Sequence, residues 1–152
     1  MEKFIDIHSH IAWDIDDGMP SMEDAKCSLH DSYCDGIVGI CSTPHIIPGQ
    51  YDASIHNEIV SRQMELRNMS SISIYFGGEV MMNSEFINGL DTEIYPTLNG
   101  SRYMLVEYNV LRDIHSIEYR EDCLYELKVR GYIPVIAVSY THLRAHETDS
   151  YL

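Results

Sequence analysis

Nowhere in its 152 residues does the chain string together the ~18 consecutive apolar residues that a membrane-spanning helix requires. Its first residues, Met1-Glu2-Lys3-Phe4-Ile5-Asp6, lack the basic stretch followed by an apolar one that marks a secretory signal, so the expected compartment is the cytoplasm. Basic residues are scarce: 10 Lys and Arg stand against 24 Asp and Glu, for a net charge of −14. A nucleic-acid-binding surface needs clustered cations to displace counterions from phosphates, and this balance argues against one. The four cysteines form no C-x-x-C pair, which excludes a zinc ribbon or a redox dithiol, and they are expected to be buried free thiols. Many of the carboxylates are expected to be solvated surface; some are candidates to hold cations.

What is present is an ordinary globular balance, with 45% hydrophobic residues in a chain of single-domain length. Short apolar runs alternate with helical patterns, the mark of βα units and a largely parallel sheet. Strands are expected at Phe4-Ile5-Asp6-Ile7, Ile37-Val38-Gly39-Ile40-Cys41, Ile72-Ser73-Ile74-Tyr75-Phe76, Tyr103-Met104-Leu105-Val106 and Ile133-Pro134-Val135-Ile136-Ala137. Ser21 and Asp24 form a capping box for a helix whose buried face is Met22, Ala25 and Leu29, stopped by Gly36. A second helix is spaced by Ile55, Ile59, Leu66 and Met69, and another runs from about Ile117 to Arg130, stopped by Gly131.

His8, His45, Glu79 and Glu107 each fall at or just past the C-terminal end of a predicted strand, about 30 residues apart, the length of one βα unit. In parallel α/β folds that edge gathers ligands and catalytic groups. His8-Ser9-His10 adds a pair two residues apart on a strand end, where both side chains face the same way and can grip one ion. Asp16-Asp17-Gly18, taken alone, reads as turn chemistry. His30 and His56 read as surface residues, whereas His115 follows the strand that ends at Glu107.

Asp6-Ile7-His8-Ser9-His10, Ile15-Asp16-Asp17-Gly18 and Ser42-Thr43-Pro44-His45 together resemble the opening motifs of the PHP (polymerase and histidinol phosphatase) superfamily. Gly49-Gln50-Tyr51, Gly77-Gly78-Glu79, Glu85-Phe86, Tyr103-Met104-Leu105-Val106-Glu107 and Arg130-Gly131-Tyr132-Ile133-Pro134-Val135-Ile136-Ala137 narrow the likeness to the bacterial manganese-dependent tyrosine-protein phosphatases of capsule and exopolysaccharide operons. The resemblance implies the N-terminal part of a distorted (β/α)7 barrel, about five βα units, holding up to three divalent metals: manganese first, with iron or zinc as alternatives. His8 and His10 would bind the first metal, Glu79 would bridge the first and second, Glu107 would hold the second, and Asp17 and His45 the third. It also implies phosphomonoester hydrolysis by a metal-activated hydroxide, with no phosphoenzyme. Consistent with that, no Cys here has an Arg six positions later, so the phosphate loop of cysteine-dependent tyrosine phosphatases is missing. The implied substrate is a phosphotyrosine protein, a bacterial tyrosine kinase of the polysaccharide export system. Trp13 stands where the family has a loop Pro-Gly.

After Ala137 the family continues His-Pro-Glu-Arg, whereas here Val138 carries no ligand atom, and the later strands and phosphate-binding arginines of the family have no counterpart. Residues 1–137 are therefore expected to be a partial phosphatase domain, and 138–152, which include His142 and His146, a foreign or disordered tail resembling translated sequencing adapter. A chain of that kind is expected to hydrolyse aryl phosphates weakly or not at all. The alternatives are another PHP phosphoesterase, such as a histidinol phosphatase, or a non-catalytic metal-binding fragment.

Overall fold

The computed structural model describes residues 3–108 and 117–137. Strand β1 (Phe4–Ser9) leads through a loop to helix α1 (Met22–Cys34), followed by β2 (Ile37–Ser42), β3 (His45–Ile46) and α2 (Ala53–Met69). Then come β4 (Ser73–Phe76), β5 (Glu79–Met81), the short α3 (Phe86–Thr92), β6 (Tyr103–Glu107), α4 (Ile117–Val129) and β7 (Ile133–Ala137). Every strand pair is parallel. The result is a mixed α/β fold of successive strand–helix units, as the alternating pattern implies.

The caps form where the side chains allow them. Ser21 Oγ accepts from the Asp24 amide at 3.2 Å and donates to the Asp24 carboxylate, while Asp52 accepts from the amides of Ser54 and Ile55. Gly36 and Gly131 follow α1 and α4 at φ 89° and 85°, a conformation that costs other residues more. Of the three residues expected on the buried face of α1, Ala25 and Leu29 are buried but Met22 is exposed, because it sits in the first turn, beyond the reach of the sheet.

Two of the five expected strands are each followed, after a two-residue break, by a short further strand. Thr43-Pro44 separates β2 from β3, and Gly77-Gly78 separates β4 from β5, so the hydrogen-bonded sheets are β1-β2-β4 and β3-β5-β6-β7. Pro44 has no amide to give a ladder, which explains the first break. Pairing nonetheless bridges both interruptions: the Thr43 amide donates to Ser9 O, Gly77 to Ser42 O and Glu79 to Pro44 O, all at 2.8–3.0 Å. Helix α3 was not foreseen; it is only seven residues and contains Asn88-Gly89, so its stability comes from burying Phe86 against Tyr95 and not from propensity.

Helices cover one face of the strands with two apolar clusters. Ala25, Leu29 and Leu66 pack with Ile40 and Ile74, while Ile59, Phe86, Cys123 and Leu127 pack with Val80, Met104 and Val106. Cys41 and Cys123 are buried thiols, but Cys27 and Cys34 are exposed, against the expectation of burial, because both lie on the outer side of α1. No helix among the described residues is long and apolar enough to cross a membrane.

One buried polar side chain ties a helix to the strand breaks. Gln63 of α2 is 2% exposed, and its Nε2 donates to Ser42 O at 2.9 Å and to Gly77 O at 3.0 Å, the last carbonyl of β2 and the first after β4. Gln63→Leu keeps the volume but takes the donor from Gly77 O, while Ser42 O keeps the Gly77 amide, and is expected to cost about 1–3 kcal/mol in a denaturant melt. Met64→Ala, at a neighbouring exposed position, should stay within about 0.5 kcal/mol of the parent.

Candidate metal centre

The six residues singled out in the sequence converge at one end of the strands. His8 is the penultimate residue of β1, His10 follows the strand, His45 opens β3, Glu79 opens β5 directly opposite His45, and Glu107 closes β6 opposite Met81. Between Asp6 and Ser9, β1 carries one residue more than the facing stretch Ile40–Ser42, a β-bulge. A bulge frees an amide from the ladder; here the His8 N–H is taken by Asp6 Oδ1 at 3.0 Å.

Glu79 is the hub. Its side chain is 3% exposed, and Oε2 lies 3.0 Å from His10 Nε2, 3.2 Å from His8 Nε2 and 3.3 Å from His45 Nδ1. His8 Nε2 and His10 Nε2 are themselves 3.2 Å apart. Glu107 Oε2 lies 3.6 Å from His45 Nδ1, and the largely exposed Asp17 places Oδ1 3.3 Å from His45 Nε2. Three sets of donors thus fall within reach of a common point: His8, His10 and Glu79; His45, Glu79 and Glu107; and His10, Asp17 and His45 with Asp16.

Asp16 is the residue that sequence reasoning passed over. Its Oδ2 accepts from His10 Nδ1 and from the His45 amide, both at 2.8 Å, and its Oδ1 accepts from the Gly18 amide at 3.0 Å. With its oxygens so engaged, Asp16 is better suited to orient its neighbours than to bind an ion. It keeps the His10 proton on Nδ1 and leaves the Nε2 lone pair facing Glu79, the arrangement by which a carboxylate sets the tautomer of a metal-binding imidazole. Gly18 makes this possible by close approach: a Cβ there would lie 2.2 Å from His10 O and 2.5 Å from His10 Cβ. The signal was present in Asp16-Asp17-Gly18, but the pattern alone does not distinguish a turn from a loop pressed against a histidine.

His30 and His56 are both exposed, and His56 Nδ1 shares a 2.6 Å hydrogen bond with the Tyr51 hydroxyl. Trp13 is buried, with the Arg62 guanidinium 5.2 Å from its ring centroid. His115, Val138, His142 and His146 lie outside the described residues.

Charge in the cluster is unbalanced without a cation or added protons. Burial disfavours the charged form of His10, yet its contacts with Asp16 and Glu79 outweigh that and push its pKa up to about 10. Burial likewise acts to raise Glu79, but hydrogen bonds from His10 and His8 bring it down to about 2. Glu107 is raised, first by burial and then by the neighbouring charge of Glu79. The donor set fits divalent ions. Ligand atoms ~2.1 Å from a cation and at right angles to one another lie ~3.0 Å apart, close to the spacings around Glu79 Oε2. His45 Nδ1 is buried and makes no hydrogen bond despite its carboxylate neighbours, which leaves a lone pair available to an ion. Imidazole and carboxylate donors do not single out manganese, iron or zinc.

Comparison with known proteins adds family information to this geometry. Residues 4–149 match the family model described as capsular polysaccharide synthesis, CpsB/CapC. The tyrosine-protein phosphatase CpsB of Streptococcus pneumoniae is 33% identical over 141 residues, covering 88% of this chain and 55% of CpsB. Tyrosine-protein phosphatase YwqE of Bacillus subtilis is 29% identical over 152 residues, covering 97% of this chain and 59% of YwqE. A solved structure from the crystallographic work on YwqE and CpsB, which describes them as metal-dependent tyrosine phosphatases, superposes with a TM-score of 0.69 at 29% identity over 88% of this chain and 54% of that one. The chain spans about half the length of the curated relatives it matches.

The ion-free cluster has a definite pH signature. A raised His10 contributes stability that is complete below its unfolded value of 6.5 and lost as pH climbs toward 10; a depressed Glu79 contributes stability that is complete above 4.5 and lost as pH falls toward 2. EDTA-treated protein is therefore expected to melt highest between those unfolded values, with Tm falling as pH rises above 6.5, and this decline should be largely absent in His10→Gln. Asp16→Asn is expected to weaken divalent-ion affinity about 10–100-fold in calorimetric titration while leaving the fold intact.

Proposed function

The chain belongs to the CpsB/CapC family of capsular polysaccharide synthesis, and on that premise we propose that it carries the metal-binding portion of a protein-tyrosine phosphatase. The observation that carries this reading is the convergence of three imidazole nitrogens on one oxygen of the buried Glu79, all within 3.3 Å. Lone pairs that close to an ionised oxygen repel unless protons or cations lie between them. In this reading the strands form an arc of a distorted (β/α)7 barrel of the PHP type, and the protein works in the cytoplasm. Its substrate is a phosphotyrosine protein, a tyrosine kinase of the polysaccharide export system.

His8 and His10, through Nε2, would hold one ion together with Glu79. Glu79 and Glu107 would hold a second, and Asp17 with His45 a third; His45 lies near enough to both carboxylates for the last two sets to share it. Bound divalent ions would supply positive charge against phosphoryl oxygens and make a coordinated water acidic enough to serve as nucleophile at neutral pH. The chain's own part is to fix the ligands. Asp16 holds the tautomer of His10, the His45 amide anchors Asp16 in turn, and the buried register of β3 and β5 keeps Glu79 opposite His45.

Asp14, Asp16, Asp17 and Glu58 border the adjoining cleft, and among the described residues no Lys or Arg does. An anionic phosphate therefore meets a repulsive surface unless cations are bound, which makes metal dependence a requirement of the electrostatics. This favours a metal-dependent phosphoesterase over catalysis by side chains alone. Val138 offers no donor to complete the second set, so turnover by this chain should be weak.

Two measurements test the reading. Inorganic phosphate is expected to bind in calorimetry only after manganese is added. Hydrolysis of a phosphotyrosine peptide should be weak, faster than that of histidinol phosphate, abolished by EDTA, and reduced by at least about 10²-fold in Glu79→Gln. Equal turnover with and without EDTA would overturn the assignment.

A further inference from the structure

We propose that the outer face of α1 carries a second, thiol-containing metal site, in which His30 and Cys34 chelate a thiophilic divalent cation such as zinc or cadmium. It shares no residue with the cluster around Glu79 and does not depend on the phosphatase reading. His30 Nε2 and Cys34 Sγ lie 3.7 Å apart. A tetrahedral ion bound to sulfur at ~2.3 Å and to an imidazole nitrogen at ~2.1 Å sets those two donors ~3.6 Å from each other. The observed spacing already matches the bite of such an ion.

The helix explains why the donors meet. Residues four apart sit one turn above each other on the same face. At ~100° per residue, Cys27, His30, Asp31 and Cys34 fall within about 100° of arc, opposite Ala25 and Leu29, the buried residues of the helix. All four are exposed, so solvent ions reach them and none is committed to the core. Cys27 and Cys34 are two turns apart, ~10.5 Å along the axis, too far for both sulfurs to hold one ion. Asp31 stands beside His30 and one turn before Cys34, where its carboxylate can add an oxygen to the pair.

Local charge favours a cation here. Cys34 is the last residue of α1, where the carbonyl ends of the helix carry partial negative charge. The last turn contains no basic residue to offset it, and the exposed Asp31 and Asp35 add two carboxylates. Donor type then selects the ion. Sulfur with imidazole suits zinc or cadmium better than manganese, whereas the cluster around Glu79 offers nitrogen and oxygen alone. Binding replaces the S–H bond of Cys34 with a sulfur–metal bond, the thiol proton leaves to solvent, and His30 coordinates through the lone pair of neutral Nε2.

Cobalt(II) tests the site, because a cobalt–thiolate bond gives an intense near-ultraviolet charge-transfer band that imidazole and carboxylate ligands do not produce. Titration of the full, reduced chain is expected to raise this band to saturation, and added zinc should displace it. Cys34→Ser should abolish the band, whereas Cys27→Ser should leave it unchanged. His30→Gln should move its midpoint to at least about tenfold higher cobalt, since a single donor no longer chelates. These positions are exposed, so the circular dichroism of each variant should match the parent. No band at saturating cobalt, or a band that survives Cys34→Ser, would overturn the proposal. So would loss of the band in Cys27→Ser, which would assign the ion to the other thiol. An unchanged midpoint in His30→Gln would reduce Cys34 to a surface thiol and refute the chelate.

Discussion

A buried carboxylate is the constraint around which this molecule is arranged. Isolating an ionised Glu79 from water would cost several kcal/mol, and nothing apolar can offset that. Among the described residues, the compensation within reach is the set of imidazoles at 3.0–3.3 Å, together with whatever cations they recruit. The imidazoles come from two separate segments, His8 and His10 from the end of β1 and His45 from β3, so the carboxylate is satisfied only when β1, β3 and β5 are all in register. Local chemistry and global topology are thus tied at a single oxygen atom.

The register is held by unobtrusive features. Pro44 and the Gly77-Gly78 pair interrupt neighbouring strands at the same level, and Gln63 reaches from α2 to the carbonyls of Ser42 and Gly77 beside them. His45 and Glu79, the first residues after the two interruptions, then face each other across the re-formed ladder. On the opposite side Asp16 connects the β1 loop to β3, joining His10 Nδ1 to the His45 amide through one carboxylate. The packed helices supply the rigidity that lets such contacts stay short.

Much of this was legible in the chain itself. Strand ends are readable because apolar runs stop abruptly at polar residues, and His8, His45, Glu79 and Glu107 were located by that signal alone. The helices declared themselves through caps and stops, at Ser21 and Gly36 for α1. The short strands after β2 and β4 were not legible, since Thr43-Pro44 and Gly77-Gly78 look like strand ends until the two residues of β3 and the three of β5 are seen to pair again. Asp16 escaped because its work is done on the His45 amide, 29 positions away, and no local pattern encodes that contact. Helix α3 escaped because tertiary burial of Phe86 overrides a sequence with poor helical propensity. Met22 misled in the reverse sense: helical periodicity assigns it to a face, but not to a partner.

The bulge in β1 has a consequence for how this segment tolerates change in length. Side chains on a strand alternate, so adding or removing one residue normally reverses which of them point to each face. Between Asp6 and Ser9 the chain already holds one surplus residue, and the His8-Ser9-His10 pair follows from that offset. Deleting Ile7 would remove that surplus and would turn one part of the strand over relative to the other, separating the histidines from Glu79 without touching any ligand. Relatives that keep the metal centre should accordingly show gaps in the loops around α1 and α2, and a strict residue count between Asp6 and His10.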